Sequence, residues 1–156
     1  MMDDLNANED SIDGIIQKIH DWQDSINNLK FDRLTAQSNE INRWLERSER
    51  ELENPKTGPT AEAYTEVIKA NQANIDNLQE QLDGKVADLD YKMEVTGEIT
   101  FGSVAYEEAK SEIEGLRNQI LDATDAQNGF VESLMQLPVD NIVKQIDKYE
   151  NALSEL

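Results

Sequence analysis

Cysteine is absent from the 156 residues. Without a thiol there is no disulfide scaffold, no thiolate metal site and no Cys nucleophile. The absence fits a reducing compartment, or a structure indifferent to redox. Histidine occurs once, at His20, so a zinc site lacks its usual ligands. A Ser-His-Asp triad would have to use that residue, in a helical stretch with no strand-turn-helix context for a nucleophile. Bases are scarce: 14 Lys and Arg face 33 Asp and Glu, for a net charge of −19. The excess is spread along the chain, with 13 acids and 6 bases in residues 3–53 and 20 and 8 in residues 54–156. No basic patch exists to meet a nucleic-acid backbone, and an anionic membrane surface would repel the chain. No apolar run approaches the roughly 18–20 residues of a membrane span. The start, Met1-Met2-Asp3-Asp4, lacks the charged-then-apolar order of a signal peptide. The few glycines form no GxGxxG or GxxxxGK[ST] phosphate loop. No cofactor, metal or small-molecule substrate is implied, and the chain does not read as an enzyme.

What the sequence does have is helical periodicity, strongest in its first third. From Asp3 to Glu53 there is one glycine, Gly14, and no proline. Apolar residues recur there at Leu5, Ile12, Ile15, Ile19, Trp22, Ile26 and Leu29, a 3-4 alternation from Ile12 onward. Phe31 and Arg33 disturb the phase. Leu34 restarts it one residue late, and Ile41, Trp44/Leu45 and Leu52 follow. Such a slip alters a supercoil locally or marks a kink. Asn54-Pro55-Lys56-Thr57-Gly58-Pro59 ends the helix, and the next one opens at Pro59 or Thr60. A second stripe comprises Ala61, Tyr64, Ile68, Asn71, Ile75, Leu78 and Leu82. The short turn folds it back antiparallel on the first. Asn71 is either a register-setting seam residue or a solvent-facing one.

Residues 84–103 fit more than one description. Helical spacing continues through Val86, Leu89 and Met93. Period-two alternation also links Leu89, Tyr91, Met93, Val95, Ile99 and Phe101, with Thr96-Gly97-Glu98 as a tip. A short β-hairpin at 89–101 is preferred and an extended linker is the second choice; the hairpin needs packing support. Ser103 then caps a third helix, with the stripe Tyr106, Ala109, Ile113, Leu116, Ile120, Ala123, Gln127, Phe130, Leu134 and Leu137. Pro138 breaks it. A last stripe runs Val139, Ile142, Ile146, Tyr149, Leu153, Leu156. It is still in phase at the final residue, as if cut within a coiled coil or completed by a partner.

Asp4, Asn6, Asn8 and Asp10 alternate like calcium-loop ligands. Glu9 stands where that loop needs glycine, and Ile15 where it needs the bidentate Glu, so the match fails. Carboxylate pairs such as Asp88 and Asp90 are expected by chance among so many acids. Trp22 and Trp44 are more informative. They are either buried in the chain's own bundle or anchors for another chain. Leu5, Ile12, Ile15, Ile19, Trp22, Ile26 and Trp44 are the candidate partner-binding residues.

The long heptad-patterned helices, rich in Asn, Gln and Glu, with a Lys-Gly-Pro break, resemble helical segments of phage tail tape-measure and related virion proteins from phages of Gram-positive hosts. The stretch Ala87–Phe101, ADLDYKMEVTGEITF, resembles the β-prone inserts between long helices in such proteins. The resemblance implies a virion or tail structural component in the virion or host cytoplasm, and no functional residue is carried over with it.

The expected fold is all-α: an elongated antiparallel coiled-coil or helical bundle of three to four long helices in a single domain. The helices are expected at about 3–53, 60–88, 103–137 and 139–156, with a turn at 54–59 and the short β-hairpin near 89–101. At 1.5 Å per residue the first helix is about 75 Å long and the second about 50 Å. One end of the first is then left for later helices or another chain. The expected function is structural, acting by coiled-coil contact with a protein partner or by self-association. The alternative is an acidic cytoplasmic adaptor or chaperone that shields a basic or apolar partner.

Overall fold

The structure, a computed structural model, describes residues 2–56, 58–137 and 139–155, with side chains from residue 11 onward except those of 139–145. Among them are four helices and no strand: α1 Met2–Glu53, α2 Ala61–Glu94, α3 Val104–Met135 and α4 Val139–Ser154. Thr57, Pro138 and Leu156, and the side chains of Leu5, Val139 and Ile142, lie outside the described residues.

The hairpin is not there. Residues 89–94 are the end of α2, and 95–103 form an irregular connection. Leu89 and Met93 are half-buried on a helix, the four-residue spacing that the period-two reading set aside. Helix wins because its backbone bonds are satisfied locally, whereas an isolated two-stranded ribbon is marginal in water. The helix closes with Val95 and Thr96 amides both donating to the Tyr91 carbonyl. Gly97 at φ 69° and Gly102 at φ 79° then take the left-handed backbone that reverses the chain. Ser103 caps α3 as expected: its Oγ accepts from the Tyr106 amide at 3.1 Å. Thr60 does the same for α2, its Oγ1 accepting from the Ala63 amide.

The contacts group into two compact units, and α1, α2 and α3 each contribute to both. One comprises Met1–Ala36 with Glu80–Gly115, the other Gln37–Gln79 with Leu116–Leu156.

In the second unit α2 is buried on two sides. One is the stripe seen in the sequence, with Asn71 and Leu78 buried and Ile68 and Ile75 half-buried. It meets α3, where Leu116 and Ala123 are buried. Asn71 is therefore a seam residue. Its Nδ2 donates to the Ala123 carbonyl at 2.8 Å and to Gln127 Oε1 at 3.0 Å, and Gln127 Nε2 donates back to the Ile68 carbonyl at 3.1 Å. These bonds pair α2 and α3 antiparallel and fix their register, since a shift by one residue strands the buried Asn71 amide and the half-buried Gln127 amide. The other side of α2 carries Val67, Ala70 and Asn77, all buried. Trp44 of α1 approaches this side, its Nε1 donating to Glu66 Oε1 at 2.8 Å. On α1 the inward residues are Ser38, Ile41, Leu45, Ser48 and Leu52, in 3-4 alternation. Ser48 is buried, its hydroxyl bonded to the Trp44 carbonyl one turn back.

In the first unit the buried apolar residues are Leu34 of α1 and Ile113 of α3. Gly84 of α2 faces Phe31, and a Cβ built on it would stand 3.1 Å from the ring. A side chain there would push the ring away.

Substitutions at three positions have set outcomes for stability, all read from urea midpoints. Gly115 sits in α3, and a Cβ added to it would meet nothing within 4 Å, so Gly115→Ala is expected to stabilise by about 1 kcal/mol through helix propensity. Gly84→Ala should fall well short of that, and Gly84→Val should cost about 1–3 kcal/mol by overpacking. Asn71→Asp is expected to cost about 3 kcal/mol at pH 7, because it turns a buried donor into a charge facing carbonyl oxygens. The loss should shrink as acid protonates that carboxyl.

Candidate functional site

The first unit places α1 against α2 through a face that the apolar pattern does not mark. His20, Asp24, Asn27, Phe31 and Leu34 are the inward residues there, spaced 4-3-4-3. The face is polar except at its end. Asn27 Nδ2 donates to Asp88 Oδ1 at 3.1 Å. Lys92 pairs with the same carboxylate at 3.2 Å. His20 meets the Tyr91 ring edge-on at 5.9 Å. Lys85 lies over the Phe31 ring at 4.6 Å and pairs with Glu112 of α3 at 3.1 Å. His20 is half-buried on this face.

This arrangement leaves the apolar stripe outside. Ile12, Ile15, Ile16, Ile19, Trp22, Ile26 and Leu29 are all exposed, with Trp22 at 65% and Leu29 at 69% of full accessibility. The reason is phase. Ile19 and Ile26 stand one residue before His20 and Asn27. One residue is about 100° of rotation on an α-helix. When the polar face points at α2, the apolar stripe points sideways into solvent. The helix itself is continuous through Arg33, so the shift expected there as a slip or kink is no break. It is where the apolar residues change face.

Of the candidate partner-binding residues, the structure brings Ile12, Ile15, Ile19, Trp22 and Ile26 together on this one exposed face. Trp44 is elsewhere, half-buried in the second unit with its indole N–H bonded to Glu66. Ile16 and Leu29 complete the patch. Ile16 escaped the sequence reading because it falls between stripe positions, and its adjacency to Ile12 and Ile19 at helical spacing was the available signal.

The second unit holds an open cleft of about 1150 Å³ at the end of α1, bordered by Trp44, Arg47, Lys56 and Tyr149. Tyr149 of α4 donates its hydroxyl to Glu62 at 2.8 Å, and that bond and the Glu62 charge raise its pKa. The cleft has no histidine, and the Ser48 hydroxyl on its wall is already committed to the Trp44 carbonyl. Among the described residues no three His, Asp or Glu side chains gather as a metal site, and no helix is long and apolar enough to cross a membrane.

Protein-family models, curated proteins and solved structures give no match to the chain.

Lys92 reports on the polar face. Burial alone would lower its pKa, but the Asp88 hydrogen bond and the charges of Asp88, Asp24 and Glu98 outweigh this and raise it. A raised lysine pKa contributes stability that is full below the unfolded value near 10.4 and is lost as pH rises through the folded value. Lys92→Met is expected to cost about 0.5–1 kcal/mol at pH 7. Between pH 9 and pH 11, urea denaturation should show a smaller alkaline loss for this variant than for the parent chain.

Proposed function

We propose that this chain is a structural or assembly protein that works through helix–helix contact, with the exposed face at residues 12–29 as its working surface. The observation that carries the reading is the patch of seven large apolar side chains on one helix face. Monomeric proteins seldom leave such a contiguous patch in water, and where they do it marks an interaction site. The 3-4 spacing of Ile12, Ile15, Ile19, Trp22, Ile26 and Leu29 is the spacing that inserts knobs of one helix into holes of another in a coiled coil. Trp22 near its middle is the natural energetic anchor. A phage virion or tail component is the setting that the long heptad-patterned helices favour.

The adaptor reading is the weaker one. A basic partner calls for acids beside the apolar face. Residues 11, 18 and 25 on one flank are Ser, Lys and Ser, and residues 16, 23 and 30 on the other are Ile, Gln and Lys. Asp13, Asp21 and Asp24 lie farther round the helix.

The test is the size of the native species. In lysates of cells carrying its gene, the wild-type chain is expected in a species much larger than its own 17.7 kDa. Ile19→Asp with Ile26→Asp should release it to the size of the free chain with its helical circular dichroism unchanged. A wild-type chain that runs free in such lysates refutes the reading.

A further inference from the structure

We propose that the occupant of the 12–29 face is a second copy of this chain. The proposal rests on the reading of that face as a helix-contact surface and names its partner.

Three observations carry it. The first is area. At roughly 60–120 Å² for a fully exposed Ile or Leu side chain and roughly 150–250 Å² for Trp, the seven residues at their observed exposures present roughly 300–570 Å² of apolar area per chain, and about half of an ordinary interface is apolar. A standard stable interface takes about 800 Å² from each partner. One copy against another therefore covers the patch and leaves little of it over.

The second is charge. Two copies of a chain with net charge −19 repel one another almost anywhere they touch. The 12–29 face is an exception. Its flanking positions between 11 and 30 carry no acid and two lysines, Lys18 and Lys30. Asp21 stands clear of the face, and Asp24 is turned inward near Lys92. The repulsion that keeps copies apart elsewhere is relieved where the apolar surface lies.

The third is self-complementarity. An isologous two-fold contact asks one surface to fit itself. A face built almost wholly of Ile with one Trp and one Leu offers matching apolar layers to its own copy.

Light scattering of the purified full-length chain across a range of concentrations tests this. The parent chain is expected to show twice 17.7 kDa or a higher multiple. Ile19→Asp with Ile26→Asp should weaken association by more than about 100-fold, the scale of burying unpaired carboxylates. These positions are exposed, so the helical signal should persist. If that variant loses helix, Trp22→Ser, which adds no charge, replaces it. Leu121→Asp, at an exposed apolar site in the second unit, should leave association intact. A pure chain that stays at 17.7 kDa at every concentration overturns the proposal, as does an oligomer that survives the seam variants. A pure monomer that nonetheless travels in a large species in its own cells, through Ile19 and Ile26, overturns the second copy and leaves the contact-surface reading standing.

Discussion

An α-helix turns about 100° with each residue, and most of this structure follows from how α1 spends that rotation. Its inward residues keep one phase: His20, Asp24, Asn27, Phe31 and Leu34 in the first unit, and Ser38, Ile41, Leu45, Ser48 and Leu52 in the second. Its apolar residues do not. From Leu34 onward Ile41, Leu45 and Leu52 coincide with the inward phase; before Phe31 the apolar residues sit one or two residues ahead of it. A continuous helix cannot aim both phases at α2. The polar phase is the one turned inward in the first unit, and the isoleucines are left in water.

That choice has an energetic signature. The α1–α2 contact of the first unit is made of an Asn–Asp hydrogen bond, an edge-on His–Tyr contact and Phe31 against Gly84 with the Lys85 cation over its ring; the Lys92–Asp88 pair beside them lies within α2. Each is worth of the order of 1 kcal/mol or less, well below what burying isoleucines yields. Such contacts set register and orientation more than strength, as Asn71 and Gln127 do between α2 and α3. The arrangement becomes intelligible if the isoleucines are reserved for another helix, so that the polar ladder need only hold α1 at the correct rotation. The unit then presents its strongest apolar surface outward by construction.

Much of this was legible in the sequence. Gly and Pro marked the turn after Glu53, Ser103 marked the cap of α3, and the stripe from Tyr106 to Leu137, all but its last residue on α3, is half-buried or buried throughout. The second face of α2 was not legible, because Val67, Ala70, Asn77, Gly84 and Asp88 are mostly small or polar. They keep a helical spacing without a hydrophobic contrast to reveal it. The polar face of α1 was hidden for the same reason. Residues 89–101 misled because apolar residues, Leu89, Tyr91, Met93 and Val95, happened to alternate at the end of a helix that had no proline to stop it. Trp22 and Trp44 looked alike in sequence, and only their phase relative to the inward face separates them.

The molecule is set apart by one feature, the rotation of α1 that turns its apolar face away from α2. Acrylamide quenching of each tryptophan alone, in Trp44→Phe and Trp22→Phe chains diluted until monomeric, measures it most directly. Trp22 should be quenched nearly as readily as free indole, and Trp44 should be clearly protected. Protection of Trp22 equal to that of Trp44 in the monomer would show that the chain itself already covers this face and that α1 does not turn it outward.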